Sequence, residues 1–296
     1  MHSSFKITKS SSFPWELYKM HSYSYPGHIH KARRQFRDIL KDKKTFHFIF
    51  ETRDARIQHL DHPDLNNMGI HIAKRIIFNK LDLLNTNAQQ QLFAKYPESF
   101  YFSNRNKQIG HSIRDMVDWI LDNAIDTYQH QLVHIVGYPN TGKSTLVNQF
   151  RNYSLGKSGL KTGNIAGITK KIEKVKFLES PKIDLVDFPG VLVPTKEIEF
   201  EVAIQLSIIG CCKFDNVDPF LEAHYLICYL KDFEPSALQT LRIGTELDFS
   251  DGELLIEHVG RAFNINKKGN KVDLEKTARF IIQRYKDGKI SSNAFV

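Results

Sequence analysis

The run Gly137-Tyr138-Pro139-Asn140-Thr141-Gly142-Lys143-Ser144-Thr145 combines glycine, lysine and hydroxyl groups at a spacing suited to phosphate. It fits G-x-x-x-x-G-K-[ST], follows the apolar segment Leu132–Val136 and precedes a helix-forming stretch, the setting such a loop requires. Glycines let the backbone close on phosphate oxygens, and successive N–H groups with a helix N-terminus form an anion nest. Lys143 is expected to bridge two phosphates and the Ser144 hydroxyl to hold Mg²⁺, with Asn140, Thr141, Gly142 and Thr145 lining the same loop.

A second polar constellation lies upstream. Asn79-Lys80-Leu81-Asp82 directly follows the apolar run Arg75-Ile76-Ile77-Phe78. A carboxylate there can accept two hydrogen bonds from the N1–H and exocyclic amine of guanine. Adenine offers no such pair, and a site built to hydrogen-bond a substrate group rejects the analogue lacking it by about 10⁴–10⁵. Alone, N-K-x-D is a weak signal whose bland reading is a helix cap at Asp82. Ser103 and Asn104, ending the next apolar run, are placed to contact the same base. The order is unusual: the base-reading residues precede the phosphate loop, as if an ordinary GTP-binding domain had been cut and rejoined.

Farther along, Asp187-Phe188-Pro189-Gly190 fits D-x-x-G, with Asp187 expected at Mg²⁺ and the Gly190 amide at the terminal phosphate. Thr169, in Gly167-Ile168-Thr169, is the candidate switch threonine that closes over the metal. Both also read as ordinary turn residues. Val191 stands where Ras-like enzymes carry the glutamine that positions water, so unassisted hydrolysis should be slow. His28 is one group that could orient or deprotonate water near neutral pH. On residue type alone it is one of 13 histidines, and a surface role is the plainer reading.

The elements that must position these groups are legible as β-branched and aromatic runs. Strands are expected at Thr45–Glu51, Ile72–Phe78, Ser99–Ser103, Gln131–Gly137, Ile172–Leu178 and Lys182–Asp187. Helix-length segments at Asn87–Tyr96, Ile109–Tyr128 and Gly142–Tyr153 separate most of them. That alternation predicts an α/β fold with a mixed, mainly parallel six-stranded sheet. The short Glu179-Ser180-Pro181 turn makes the last two strands antiparallel. Beyond Pro194 only helices are expected, at Glu197–Cys212, Pro219–Tyr229, Gly252–Phe263 and Asp273–Asp287. The predicted organisation is a transit segment or tail over 1–20, a nucleotide-binding domain over 21–200 with a basic N-terminal segment, and a small all-helical C-terminal domain over 201–296.

These motifs in this order resemble the circularly permuted GTPases of the YlqF/RbgA family, in particular its mitochondrial ribosome-associated branch. Tyr25-Pro26-Gly27-His28-Ile29-His30-Lys31-Ala32-Arg33-Arg34 is similar to the family's F-P-G-H-M-x-K-A, and Glu51-Thr52-Arg53-Asp54-Ala55-Arg56-Ile57 to its D-A-R-I-P stretch. Lys268-Gly269 through Glu275 and Tyr285–Lys289 look like its closing helical segment. The sequence departs at Gln58, where the family has proline, in His59–Asn66, and at Ala166. The resemblance implies that His28 is catalytic in place of the missing glutamine and that Asn140 binds K⁺. It implies GTP and GDP as ligands with Mg²⁺. As partners it implies the maturing large mitoribosomal subunit with its rRNA, ribosomal proteins and other assembly factors. The setting would be the mitochondrial matrix or the matrix face of the inner membrane.

Composition is consistent with this without selecting it. The 296 residues carry a formal net charge of +8, which favours polyanionic partners. Basic residues gather at Lys31, Arg33, Arg34, Arg37, Lys41, Lys43 and Lys44, and again from Arg261 to Lys289, a pattern that suits structured rRNA, with a solvated helix face as the alternative for any single residue. Cys211, Cys212 and Cys228 fit neither a disulfide framework nor a zinc site and read as buried apolar groups. No apolar run is long enough to span a bilayer. The first fifteen residues are acid-poor and Ser-rich, like a transit segment or a tail. The reading reached is a monomeric GTP-hydrolysing large-subunit assembly factor stimulated by the ribosomal particle. The alternative is a nucleotide-stabilised rRNA-binding placeholder that hydrolyses little or nothing.

Overall fold

The computed structural model describes residues 9–18, 34–58, 65, 69–106, 109–128, 130–155, 173–187, 199–211 and 217–295. The chain divides into two units, Ser24–Pro194 and Thr195–Val296, with Met1–Tyr23 belonging to the second.

The first unit is built on six strands, β1 (Thr45–Asp54), β2 (Ile72–Asn79), β3 (Phe100–Phe102), β4 (His130–Gly137), β5 (Glu173–Leu178) and β6 (Ile183–Asp187). Their order is β3-β2-β1-β4-β6-β5, all neighbours parallel except the β5–β6 hairpin. Three helices accompany them, α1 (Thr86–Lys95), α2 (Ile113–Asp122) and α3 (Lys143–Leu155). Alternation along β1 assigns the faces. Phe46, Phe48 and Phe50 join Met116 and Ile120 of α2 and Leu146 and Phe150 of α3 in one fully buried core. Ile49 points the other way, to Phe36 of a helical segment over 34–39, with Val136 and Val186. Each large side chain so buried contributes about 1.5–3 kcal/mol, which makes β1 the axis of the unit.

β1 runs three residues past its expected end at Glu51, because Arg53 and Asp54 are buried and paired there rather than solvated. α2 is shorter than the expected Ile109–Tyr128. Gly110, at φ 81°, turns the chain back so that the His111 N–H donates to Tyr101 O, and the helix begins only at the Ser112–Asp115 capping box.

The second unit contains α4 (Phe200–Ile208), α5 (Pro219–Phe233), a 3₁₀ turn at Pro235–Leu241, α6 (Gly252–Ala262) and α7 (Leu274–Lys286). Asp218, Asp251 and Asp273 cap α5, α6 and α7 by accepting from the N–H groups of Leu221, Leu254 and Lys276. Such caps are worth about 1 kcal/mol each. α4 is shorter than the expected Glu197–Cys212, since Gly210 at φ 77° closes it, with Gly210 N donating to Ser207 O and Cys211 N to Leu206 O. Cys211 and Cys228 are buried; Cys212 lies outside the described residues.

Residues 9–18, expected as part of a transit segment or tail, are packed into this unit. Phe13 is buried against Trp15, Tyr18, His224 and Tyr225. Ser10 Oγ donates to Asp232 Oδ2 at 2.8 Å and Ser12 Oγ to Asp232 Oδ1 at 2.5 Å, while Ser10 N reaches Glu201 Oε1 at 3.4 Å. Serine-rich composition suggests solvent, but here the hydroxyls satisfy one carboxylate while the aromatic residues supply the burial.

Candidate functional site

Parallel pairing brings the carboxyl ends of β1, β2, β3, β4 and β6 to one edge of the sheet. Thr52 lies opposite Gly137, Asp54 opposite Asn79, Asn79 opposite Phe102, and Ile135 opposite Asp187. Open α/β sheets place their ligands at this edge.

The phosphate loop leaves β4 and enters α3 directly. Asn140 sits at φ 57° and Gly142 at φ 96°, so the loop doubles back on itself before the helix begins. A Cβ at Gly142 would collide with the side-chain amide of Asn79, so only glycine fits. Thr141 is wholly enclosed: its hydroxyl lies 2.9 Å from Thr52 Oγ1 and 2.9 Å from Tyr138 O. Lys143 Nζ donates to Tyr138 O at 2.7 Å, folding the ammonium over the loop. Ser144 and Thr145 are half-buried in the first turn of α3. A cradle that no Cβ may enter, a lysine bent over it and a helix N-terminus behind it fit a polyphosphate with its Mg²⁺.

The residues expected to read the base form the adjoining wall. Asn79, buried at the end of β2, donates from Nδ2 to Thr141 O at 2.9 Å, and its Oδ1 accepts from Lys80 N at 2.7 Å. Lys80 adopts φ 62°, a left-handed conformation that L residues rarely enter. Leu83 N then donates to Lys80 O, making the 3₁₀ turn Leu81–Leu83 that carries Asp82. Ser103 Oγ donates to Asp82 Oδ1 at 2.5 Å and accepts from Asn106 N at 3.0 Å, which fixes the carboxylate's orientation. Asn104 Oδ1 accepts from Gln149 Nε2 of α3 at 3.0 Å. The structure thus brings together Asn79, Lys80, Asp82, Ser103, Asn104, Asn140, Thr141, Gly142, Lys143, Ser144 and Thr145.

Asp187 closes β6 at the same edge, but its side chain, like His28, Thr169 and Gly190, lies outside the described residues. Among the described residues no group of three His, Cys, Asp or Glu side chains could hold a metal by itself.

Thr52, Asp54 and Arg56 also belong to the site, although no motif assigns them a role. Thr52 anchors Thr141. Asp54, fully buried, accepts from Arg56 N at 3.1 Å, Arg56 Nε at 2.9 Å, Arg56 Nη2 at 2.9 Å and Lys80 Nζ at 2.8 Å. The neighbouring Arg56 and Lys80 cations hold its carboxyl well below the usual carboxylate range, against the opposing effect of burial. The sequence signal was a polar run, Glu51-Thr52-Arg53-Asp54-Ala55-Arg56, closing an otherwise apolar strand.

Residues 132–222 match the family described as a 50S ribosome-binding GTPase. "Mitochondrial GTPase 1" of Schizosaccharomyces pombe is 28% identical, covering 92% of this chain and 89% of its own length. "Ribosome biogenesis GTPase A" of Priestia megaterium is also 28% identical, over 92% of this chain and 95% of its own. Among solved structures, the GNP-bound YlqF of T. maritima superposes with a TM-score of 0.53 over 90% of this chain and 97% of that one, at 21% identity. That likeness is one of fold.

Proposed function

We propose that the chain is a circularly permuted GTPase of the YlqF/RbgA family and, within it, a GTP-hydrolysing assembly factor of the large mitoribosomal subunit. The single observation that carries the nucleotide site is the Asn79–Thr141 bond, which joins the base-reading and phosphate-binding motifs into one wall despite their inverted order. The names of the relatives, one a mitochondrial GTPase and one a ribosome biogenesis GTPase, support the setting and the partner.

In this reading Asp82, oriented by Ser103, accepts from the guanine edge, with Lys80, Asn79 and Asn104 flanking the base. Lys143 and the amides from Asn140 to Thr145 neutralise the phosphate oxygens as charge develops on them. Mg²⁺, held by Ser144, Thr169 and Asp187, would supply further charge stabilisation at the phosphates, and K⁺ at Asn140 a second cation. Gly190 reports the terminal phosphate to the switch segment. His28 orients the attacking water, the task for which Val191 has no polar group. Without a partner to place His28, turnover should be about 10⁻⁴ s⁻¹, the unassisted Ras-like range.

The basic exposed residues of the second unit, Lys267, Lys268, Lys271, Lys276, Arg279 and Lys289, give rRNA a sequence-independent footing. GTP turnover in K⁺ and Na⁺ buffers, with and without purified large subunits, tests the whole proposal. Stimulation by subunits that is lost in His28→Ala supports it. Unstimulated turnover that His28→Ala leaves unchanged favours the rRNA-binding placeholder. Preference for ATP would overturn the site.

A further inference from the structure

The sequence Arg53-Asp54-Ala55-Arg56 takes no part in the chemistry above, yet it forms a densely bonded polar cluster beside the site. Both oxygens of Asp54 are fully engaged: Oδ1 accepts from the backbone and Nε of Arg56, and Oδ2 from Nη2 of Arg56 and Nζ of Lys80. A buried carboxylate supplied only by Lys80 would be left with empty acceptor positions, and Arg56 fills them in bidentate geometry. The loop beyond is tied down as well, since Arg53 Nη1 and the Tyr96 hydroxyl both donate to Gln58 O. Arg53 in turn pairs with buried Glu51, so the cluster is anchored at the end of the strand most deeply set in the sheet.

Lys80 is the residue that needs holding. Its left-handed backbone is disfavoured by its own Cβ, and its carbonyl begins the turn that presents Asp82. Two bonds fix it, one from its N–H to Asn79 Oδ1 and one from its ammonium to Asp54 Oδ2. We propose that Asp54, clamped by Arg56, is a positioning residue for guanine recognition. It pins Lys80 in the left-handed conformation and thereby sets the height and tilt of the Asp82 carboxylate over the base. This rests on the reading of Asp82 as the base-reading group.

The test is fluorescent-GDP binding to the full-length protein, with steady-state GTP turnover alongside. Asp54→Asn should weaken GDP binding about tenfold and raise KM in parallel, while kcat at saturating GTP falls far less. In a Lys80→Ala background the same substitution should add less than about twofold, because its route of action is already gone. A purely structural role predicts equal weakening in both backgrounds, tracking thermal stability, and would overturn the proposal. If Asp54→Asn does not accumulate folded, Arg56→Lys takes its place: it keeps the charge but breaks the bidentate clamp. The same dependence on Lys80 is then expected, and its absence would equally refute the proposal. Asp82→Ala is the control on the underlying reading. If it leaves the preference of GTP over ATP intact, the base-reading assignment fails; if it abolishes that preference while Asp54→Asn changes nothing, only the positioning role fails.

Discussion

Asn79 Nδ2 and Thr141 O meet at 2.9 Å across 62 positions of chain, and that bond makes one wall of two separately recognisable motifs. Both groups are buried, so neither has water as an alternative partner. Asn79→Ala should therefore cost about 1–3 kcal/mol of stability, because Thr141 O is left unsatisfied. It should also weaken GDP binding by at least about tenfold, since the wall of the loop at Gly142 is lost with it. Chemical denaturation and fluorescent-GDP titration measure the two effects separately.

Acid should loosen the first unit through its histidines. His47 Nδ1 and His134 Nε2 lie 2.9 Å apart inside the sheet, and burial lowers the pKa of both. Folded, they stay neutral below the usual value of about 6.5. Unfolded, they take up protons there, so the unfolded state binds more protons and stability falls as pH drops through that value. Urea unfolding should show a clear loss between pH 7.5 and 5.5. A His47→Phe/His134→Leu double variant should show a flatter pH dependence.

Phe13→Ala tests the packed N-terminal segment. Phe13 is enclosed by Trp15, Tyr18, His224 and Tyr225, so truncation should destabilise the helical unit by about 3–5 kcal/mol. Hydrogen exchange of α5 amides should accelerate. Ser12→Ala, which removes one bond to Asp232, should cost only about 0.5–1.5 kcal/mol.

Lys268, Lys271 and Lys276 are exposed on the helical unit. If they contact phosphates, replacing all three with Gln should reduce the slope of log affinity for rRNA against log salt by about 2–3. GDP affinity should be untouched. Filter binding over a salt series reads the slope directly.

Much of the first unit is legible in the sequence because its signals are local. Apolar runs such as Phe46–Phe50 mark β1, and the phosphate loop announces itself between a strand and a helix. The edges are less legible, because burial of charge is decided by distant partners. Arg53 and Asp54 look like loop residues until Glu51, Arg56 and Lys80 are seen around them. The His47–His134 pair is invisible for the same reason, its members being 87 positions apart. Phe13, Trp15 and Tyr18 did offer a clue, since aromatic residues at that density are unusual in a solvated tail. The serines around them obscured it.

Inverting the motif order also changes the sequence in which the sheet can be completed during synthesis. β1, its most buried strand, lies between β2 and β4, yet β4 emerges from the ribosome long after β1 and β2. Until residue 137 has been added, one whole ladder of β1 has no partner, and until residue 155 Phe46, Phe48 and Phe50 lack the cover of α3. A nascent chain stalled in that interval would carry an open, aromatic strand edge, the kind of surface that holdase chaperones bind and that aggregates when they are absent.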